Sequence, residues 1–116
     1  MNLNDFRQGM ASYRTSVDAE GKAFKDSYWP LDKMRALYTN FDENERLLAD
    51  EVISEWVLSE DEGVRFDALV LVDDFGIIKA VPTLRKLIIY LKSINAPGAP
   101  YELKKVSRII DRLTSR

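Results

Sequence analysis

Apolar residues recur at spacings of three and four along most of this chain, and that spacing places side chains on one face of a helix. The pattern is clearest between residues 62 and 91, where the first stripe comprises Val64, Ala68, Leu71, Val72 and Phe75. Gly76 follows the stripe, and glycine readily adopts the left-handed backbone that ends a helix. Pro82 suits the first turn of a following helix, because the amide hydrogen it lacks would have no partner there. This stretch therefore predicts two helices joined by a tight turn.

The same spacing predicts further helices over residues 3–25, 31–38, 43–58 and 101–114. Asp42 and Glu45 have the capping-box spacing at the start of the third of these. Residues 96–100 read Ala-Pro-Gly-Ala-Pro and are predicted to form a loop. No segment alternates between apolar and polar residues for long enough to predict a strand. We expect an all-α fold of five to six helices, and the length of 116 residues indicates one domain over residues 1–116.

Three large aromatic residues are expected to be structural. Trp56 falls on the same face of its predicted helix as Ala49 and Ile53, so it is predicted to be buried. Tyr28 and Trp29 precede a proline, where the chain turns. Their side chains are interpreted as filling the core between helices, and the alternative is that they form a ligand site.

One group of residues carries a family resemblance. It comprises Val64-Arg65, Ala68-Leu69, Phe75-Gly76, Ala80-Val81-Pro82 and Leu84. These residues resemble the core of a HEAT-like helical repeat, of the short type found in bilin lyases and bacterial adaptor proteins. The resemblance implies an α-solenoid-like stack in which the last four helices form two pairs, and it implies a binding scaffold more readily than a given activity.

The positions of the apolar residues also indicate a repeat. Shifting the stripe Ala68, Leu71, Val72 and Phe75 by 38 residues gives Val106, Ile109, Ile110 and Leu113. This period is slightly shorter than the roughly 40–47 residues of typical HEAT units.

Composition removes several kinds of chemistry. The chain has 46% apolar and 31% charged residues, which is ordinary for a globular protein. It has no cysteine and no histidine, so a thiolate nucleophile, a disulfide and an imidazole base are excluded. Neither a secretory signal nor a membrane span is apparent, so a cytoplasmic protein is expected. We expect no enzymatic activity and no cofactor.

The charges are distributed unevenly. Residues 42–74 contain two basic and twelve acidic residues, a balance of −10, whereas residues 75–116 contain nine basic and two acidic residues, a balance of +7. One interpretation is that helix faces of opposite sign pair with each other. The other is that the acidic part selects a basic protein partner. Nucleic acid is an unlikely partner, because the acidic part would repel phosphates.

Metal binding is also not indicated by the acidic residues. Asp73 and Asp74 are adjacent on a helix and point about 100° apart, so they do not easily chelate one ion. The ligand spacing of an EF-hand is absent.

The candidate partner-binding surface combines outward-facing carboxylates with two apolar residues opposite the core stripe. It comprises Asp50, Glu51, Glu55, Phe66, Asp67, Val70, Asp73 and Asp74. The alternative is that Phe66 and Val70 pack against a neighbouring helix. In size and charge the chain is similar to small acidic immunity proteins, which neutralise bacterial toxins. That resemblance implies an immunity protein (antitoxin) that binds its toxin. The alternatives are a small bilin-lyase-like enzyme and a structural adaptor or assembly factor.

Overall fold

The computed structural model describes residues 2–115 and contains six α-helices, one 3₁₀ turn and, within that range, no strand. The prediction of an all-α fold is therefore confirmed. The chain divides into two compact units, Met1–Val52 and Ile53–Arg116. We call them the N-terminal and the C-terminal unit. The single domain expected from length stays a prediction.

The N-terminal unit contains α1 (Leu3–Ala23), α2 (Trp29–Asn40) and most of α3 (Glu43–Trp56). α1 packs against α2. The Asn2 side chain caps α1 by accepting the Asp5 amide at 2.8 Å. The predicted capping box begins α3, since Asp42 accepts the Glu45 amide at 2.8 Å and Glu45 accepts the Asp42 amide at 2.9 Å. Each cap satisfies amides that have no partner in the helix itself.

The C-terminal unit contains the end of α3, then α4 (Glu62–Phe75), a 3₁₀ turn (Ile78–Ala80), α5 (Val81–Ser93) and α6 (Ala99–Thr114). Gly76 ends α4 with φ 62° and ψ 47°, the left-handed conformation expected at this glycine. α6 begins two residues earlier than predicted. Pro100 lies in its first turn, where a proline loses no helical hydrogen bond.

α4 and α6 lie side by side and run in the same direction. Three contacts join them in the same order along both helices: Arg65 with Glu102, Phe66 with Lys105, and Asp73 with Arg112. α5 packs against α6 and leads from the end of α4 back to the start of α6, so it runs the opposite way. The parallel arrangement of α4 and α6 agrees with the 38-residue shift that relates their apolar stripes. The HEAT-like stack itself stays a prediction.

Two aromatic residues differ from their predicted burial. Ala49, Val52 and Ile53 on α3 are fully buried, but Trp56 is half-buried. Trp56 is the last residue of α3, and an indole is large enough that part of it commonly reaches solvent. Tyr28 is 73% exposed, so only Trp29 of that pair is partly covered. Trp29 packs edge-on against Phe24, with ring centroids 5.1 Å apart.

Candidate functional site

Two of the predicted partner-binding residues, Asp50 and Glu51, lie in the N-terminal unit. Asp50 is half-buried and accepts a hydrogen bond of 2.7 Å from the hydroxyl of Tyr38. Burial of the phenol, reinforced by this carboxylate, raises the pKa of Tyr38 well above its ordinary value. Glu51 is half-buried and also interacts within the chain. The outward orientation predicted for Asp50 is wrong, because the residue is a hydrogen-bond partner of the core aromatic Tyr38.

The outward orientation predicted for Asp67 is also wrong. Asp67 is only 8% exposed, whereas Glu55 and Asp74 are exposed as predicted. The reason is the width of the buried arc of α4, which extends beyond the apolar stripe to include Arg65, Asp67 and Leu69. Asp67 lies one helical turn before Leu71, so it shares that arc. A charge reversal at Asp67 would therefore place a cation in the interior.

Phe66, Val70 and Asp73 share one face of α4, as the sequence predicts, but α6 covers part of that face. The Lys105 ammonium lies 4.1 Å from the centre of the Phe66 ring, which remains 52% exposed. Burial there lowers the pKa of Lys105. Arg112 donates to Asp73 at 2.6 Å. This face is of mixed charge, and here the opposite charges of the two chain segments pair with each other.

Arg65 was not among the predicted site residues, yet it organises the start of α4. Its side chain is 6% exposed and donates twice to the Glu102 carboxylate, at 2.5 and 2.9 Å. A third bond of 3.0 Å goes to the backbone carbonyl of Ser59. The hydrogen bonds to Glu102 raise the pKa of Arg65 further above its usual range. One signal was present in the sequence, since Arg65 is one of two basic residues within the acidic segment 42–74.

The carbonyl held by Arg65 belongs to a turn that borders a surface groove of about 480 Å³. We call it the turn groove; it is lined by Leu58, Ser59, Glu60, Leu87 and Tyr90. Leu58 is 43% exposed and Tyr90 46% exposed, so the groove offers apolar surface to solvent. Glu60 and Asp61 follow in the turn, Glu62 begins α4, and all three are exposed. Asp61 also caps α4 by accepting the amides of Gly63 and Val64.

Among residues 2–115, no group of three acidic side chains is arranged to hold a metal ion. None of the helices in that part of the chain has the length and apolar character needed to cross a membrane.

Comparison with models of protein families, with curated proteins and with solved structures found no match to this chain. The resemblances to HEAT-like repeats and to immunity proteins therefore stay predictions.

Proposed function

We propose that this protein is a non-enzymatic protein-binding module whose partner presents a basic surface. The observation that carries the proposal is the turn groove, in which exposed apolar side chains lie beside an acidic turn. Leu58 and Tyr90 provide the apolar contact, and Glu60 provides a carboxylate at the same place. Binding hot spots commonly combine an aromatic anchor with charges that match the partner.

The acidic turn is held in place before any partner binds. Arg65 donates a hydrogen bond to the Ser59 carbonyl. At the end of the turn, the Asp61 carboxylate accepts two backbone amides of α4. A surface that is already ordered loses less conformational entropy on binding, so more of the contact energy appears as affinity. The exposed carboxylates would also speed encounter with a basic partner, most strongly at low ionic strength.

The finer form of the proposal is an immunity protein that neutralises a bacterial toxin in the cytoplasm by covering its active site or substrate path. The small size, the acidic segment 42–74 and a rigid helical scaffold support it. Of the residues predicted from sequence, Glu55, Phe66 and Asp74 are exposed and remain candidates for additional contact. Asp50, Asp67 and Asp73 are assigned to the structure of the protein itself.

The test is affinity capture from the native strain with wild-type protein and with the double variant Glu60→Lys/Tyr90→Ser. The matched control is Asp111→Lys/Tyr101→Ser, which makes the same two changes at exposed positions of α6 outside the groove. We expect a basic protein that is captured by the wild type and by the control but not by the groove variant. Purified partner should then bind the groove variant with a slower on-rate and a faster off-rate.

Two outcomes would refute the proposal: capture of no basic protein, or equal capture by wild type and groove variant.

The finer form is tested by producing the captured partner in bacterial cells. An immunity protein should restore growth that the partner alone arrests, and the groove variant should not restore it. A partner that leaves growth unaffected would instead identify an adaptor.

A further inference from the structure

A second groove lies in the N-terminal unit and differs from the turn groove in its chemistry. It has a volume of about 280 Å³, and its walls are provided by α1, α2, the segment that follows α2 and the first turn of α3. The apolar lining comprises Phe6, Met10, Tyr13, Leu37 and Phe41. Asp5, Gly9 and Glu45 complete the lining, and within residues 2–115 no lysine or arginine is among the residues that line this groove. We call it the N-terminal groove.

Aromatic side chains in the wall of the N-terminal groove pack against one another. Phe6 is only 6% exposed, and its ring packs on Phe41 with centroids 5.1 Å apart. Phe41 in turn packs edge-on against Tyr38, at 6.4 Å. The same aromatic cluster already accepts one cation, since the Arg46 guanidinium lies 5.5 Å from the centre of the Tyr38 ring. Aromatic faces attract cations through the negative charge density above the ring.

Gly9 also lines this groove, and nothing else in the structure explains why a glycine stands there. It lies in the interior of α1, where glycine costs about 1 kcal/mol relative to alanine. Its φ is not positive, and a Cβ at this position would meet no atom within 4 Å. Neither backbone conformation nor packing requires the glycine. Its effect is to leave the groove open.

The two carboxylates supply the charge at the groove. Asp5 is exposed in the first turn of α1. Glu45 is half-buried, and its Oε1 accepts the amide of Asp42 in the capping box. Because the residues that line the groove include two carboxylates and, within the described range, no lysine or arginine, a guest with a positive end and an apolar stem would match it. A lysine side chain has this form, with a compact ammonium on four methylene groups.

We propose that the N-terminal groove binds a lysine side chain presented by a protein partner, with the stem against Phe6, Met10 and Leu37 and the ammonium between Asp5 and Glu45. This inference does not depend on the function proposed for the turn groove. A protein source fits the apolar wall, because the peptide on either side of the lysine can cover parts of the wall that a free amine with the same stem leaves exposed.

The test is an NMR titration of the full chain with an acetylated, amidated Gly-Lys-Gly tripeptide. The comparison probes are the same tripeptide with norleucine in place of lysine, and free butylamine. We expect saturable shifts of the amides of Gly9, Tyr13 and Leu37 with the lysine tripeptide. The norleucine tripeptide should bind at least several-fold more weakly because it lacks the ammonium. Butylamine should also bind several-fold more weakly, because it has the stem and the ammonium but no peptide to cover the rest of the apolar wall.

Variants then assign the binding to this groove. Asp5→Asn/Glu45→Gln should weaken binding of the lysine tripeptide about fivefold, since ion pairs at or near the surface contribute modestly. The capping box is kept, because glutamine serves the same role at that position. The control Glu20→Gln/Glu43→Gln removes two exposed carboxylates outside the groove and should bind like the wild type. Gly9→Leu should fill the groove and abolish binding.

The proposal is overturned by any of four results. These are no saturable shift with the lysine tripeptide, equal affinity for the norleucine tripeptide, unchanged affinity of the carboxylate variant, or unchanged affinity of Gly9→Leu. Equal affinity for butylamine would make the groove a site for free amines and would overturn the assignment to a protein partner. Because every probe acts on the N-terminal unit, these results are independent of the captured partner and of the turn groove.

Discussion

Gly9 and Gly21 lie in the same helix, α1, yet replacing each with alanine is expected to change stability in opposite directions. At Gly9 the added Cβ meets nothing within 4 Å. The substitution should therefore raise the free energy of unfolding by about 1 kcal/mol, the difference in helix propensity between the two residues.

At Gly21 the same Cβ would lie 2.9 Å from Cδ of Pro30 and 3.0 Å from the backbone carbonyl oxygen of Asp26. Neither neighbour is the end of a flexible side chain, and the Asp26 amide is itself tied to the Gly21 carbonyl at 2.9 Å. Overpacking of this kind costs roughly 1–3 kcal/mol. Taking about 3 kcal/mol for so rigid a site, and about 1 kcal/mol gained from propensity, the net loss is about 2 kcal/mol.

The assay is urea unfolding followed by circular dichroism, with both variants and the wild type measured together. The two variants differ by about 3 kcal/mol, which corresponds to unfolding midpoints separated by roughly 1–3 M for a urea slope of about 1–3 kcal/mol per M. Both changes lie in the N-terminal unit, so any separate unfolding of the other unit affects them equally. Stabilisation by Gly21→Ala as large as that by Gly9→Ala would refute the close approach of Pro30 to α1.

Three other substitutions test the buried polar groups. Glu102→Gln should lower the free energy of unfolding by about 3 kcal/mol, because it leaves the buried guanidinium of Arg65 without a counter-charge; a loss below about 0.5 kcal/mol would place that pair effectively in solvent. Tyr38→Phe should cost about 1–2 kcal/mol near neutral pH by removing the hydrogen bond to Asp50. The folded state holds the Tyr38 proton while the unfolded chain loses it above its ordinary pKa of 10.0, so the stability difference between wild type and variant should shrink as the pH rises past about 10; a pH-independent difference contradicts the raised pKa. Asp67→Lys should cost about 3 kcal/mol or more in a thermal or chemical unfolding assay, and a neutral result would show that the residue is exposed.

Some limits of the helices were predictable from sequence because they depend on a few neighbouring residues, whereas α2 extends two residues beyond its predicted range 31–38 at each end, and α1 and α3 each end two residues before the prediction. The Asp42–Glu45 capping box and the left-handed Gly76 were found where the sequence predicts them. The start of α6 was missed by two residues for an equally local reason. A proline interrupts a helix only when it lies beyond the first turn. Pro100 lies within the first turn of α6, so the helix begins before it.

The burial of residues beside the apolar stripe of a helix could not be predicted from neighbouring residues along the chain. Trp56 and Asp67 were assigned from the stripe of their own helix, and both assignments were wrong. A stripe identifies the centre of the buried face, but its width depends on how many other elements pack against the helix. The turn groove was missed for the same reason, because Leu58 and Tyr90 come from segments about thirty residues apart.

The charge of each segment, the helical periodicity and the absence of cysteine and histidine can be read from the sequence, because these are properties of composition and of order along the chain. Which charges remain available to a partner depends on how the helices pack in three dimensions. Asp73 pairs with Arg112, and Arg65 with Glu102, across 39 and 37 residues of chain. The Glu60 carboxylate instead lines an open groove. A charge interacts with whatever lies within a few ångströms, and distances that short between remote residues exist only once α4 and α6 have packed side by side.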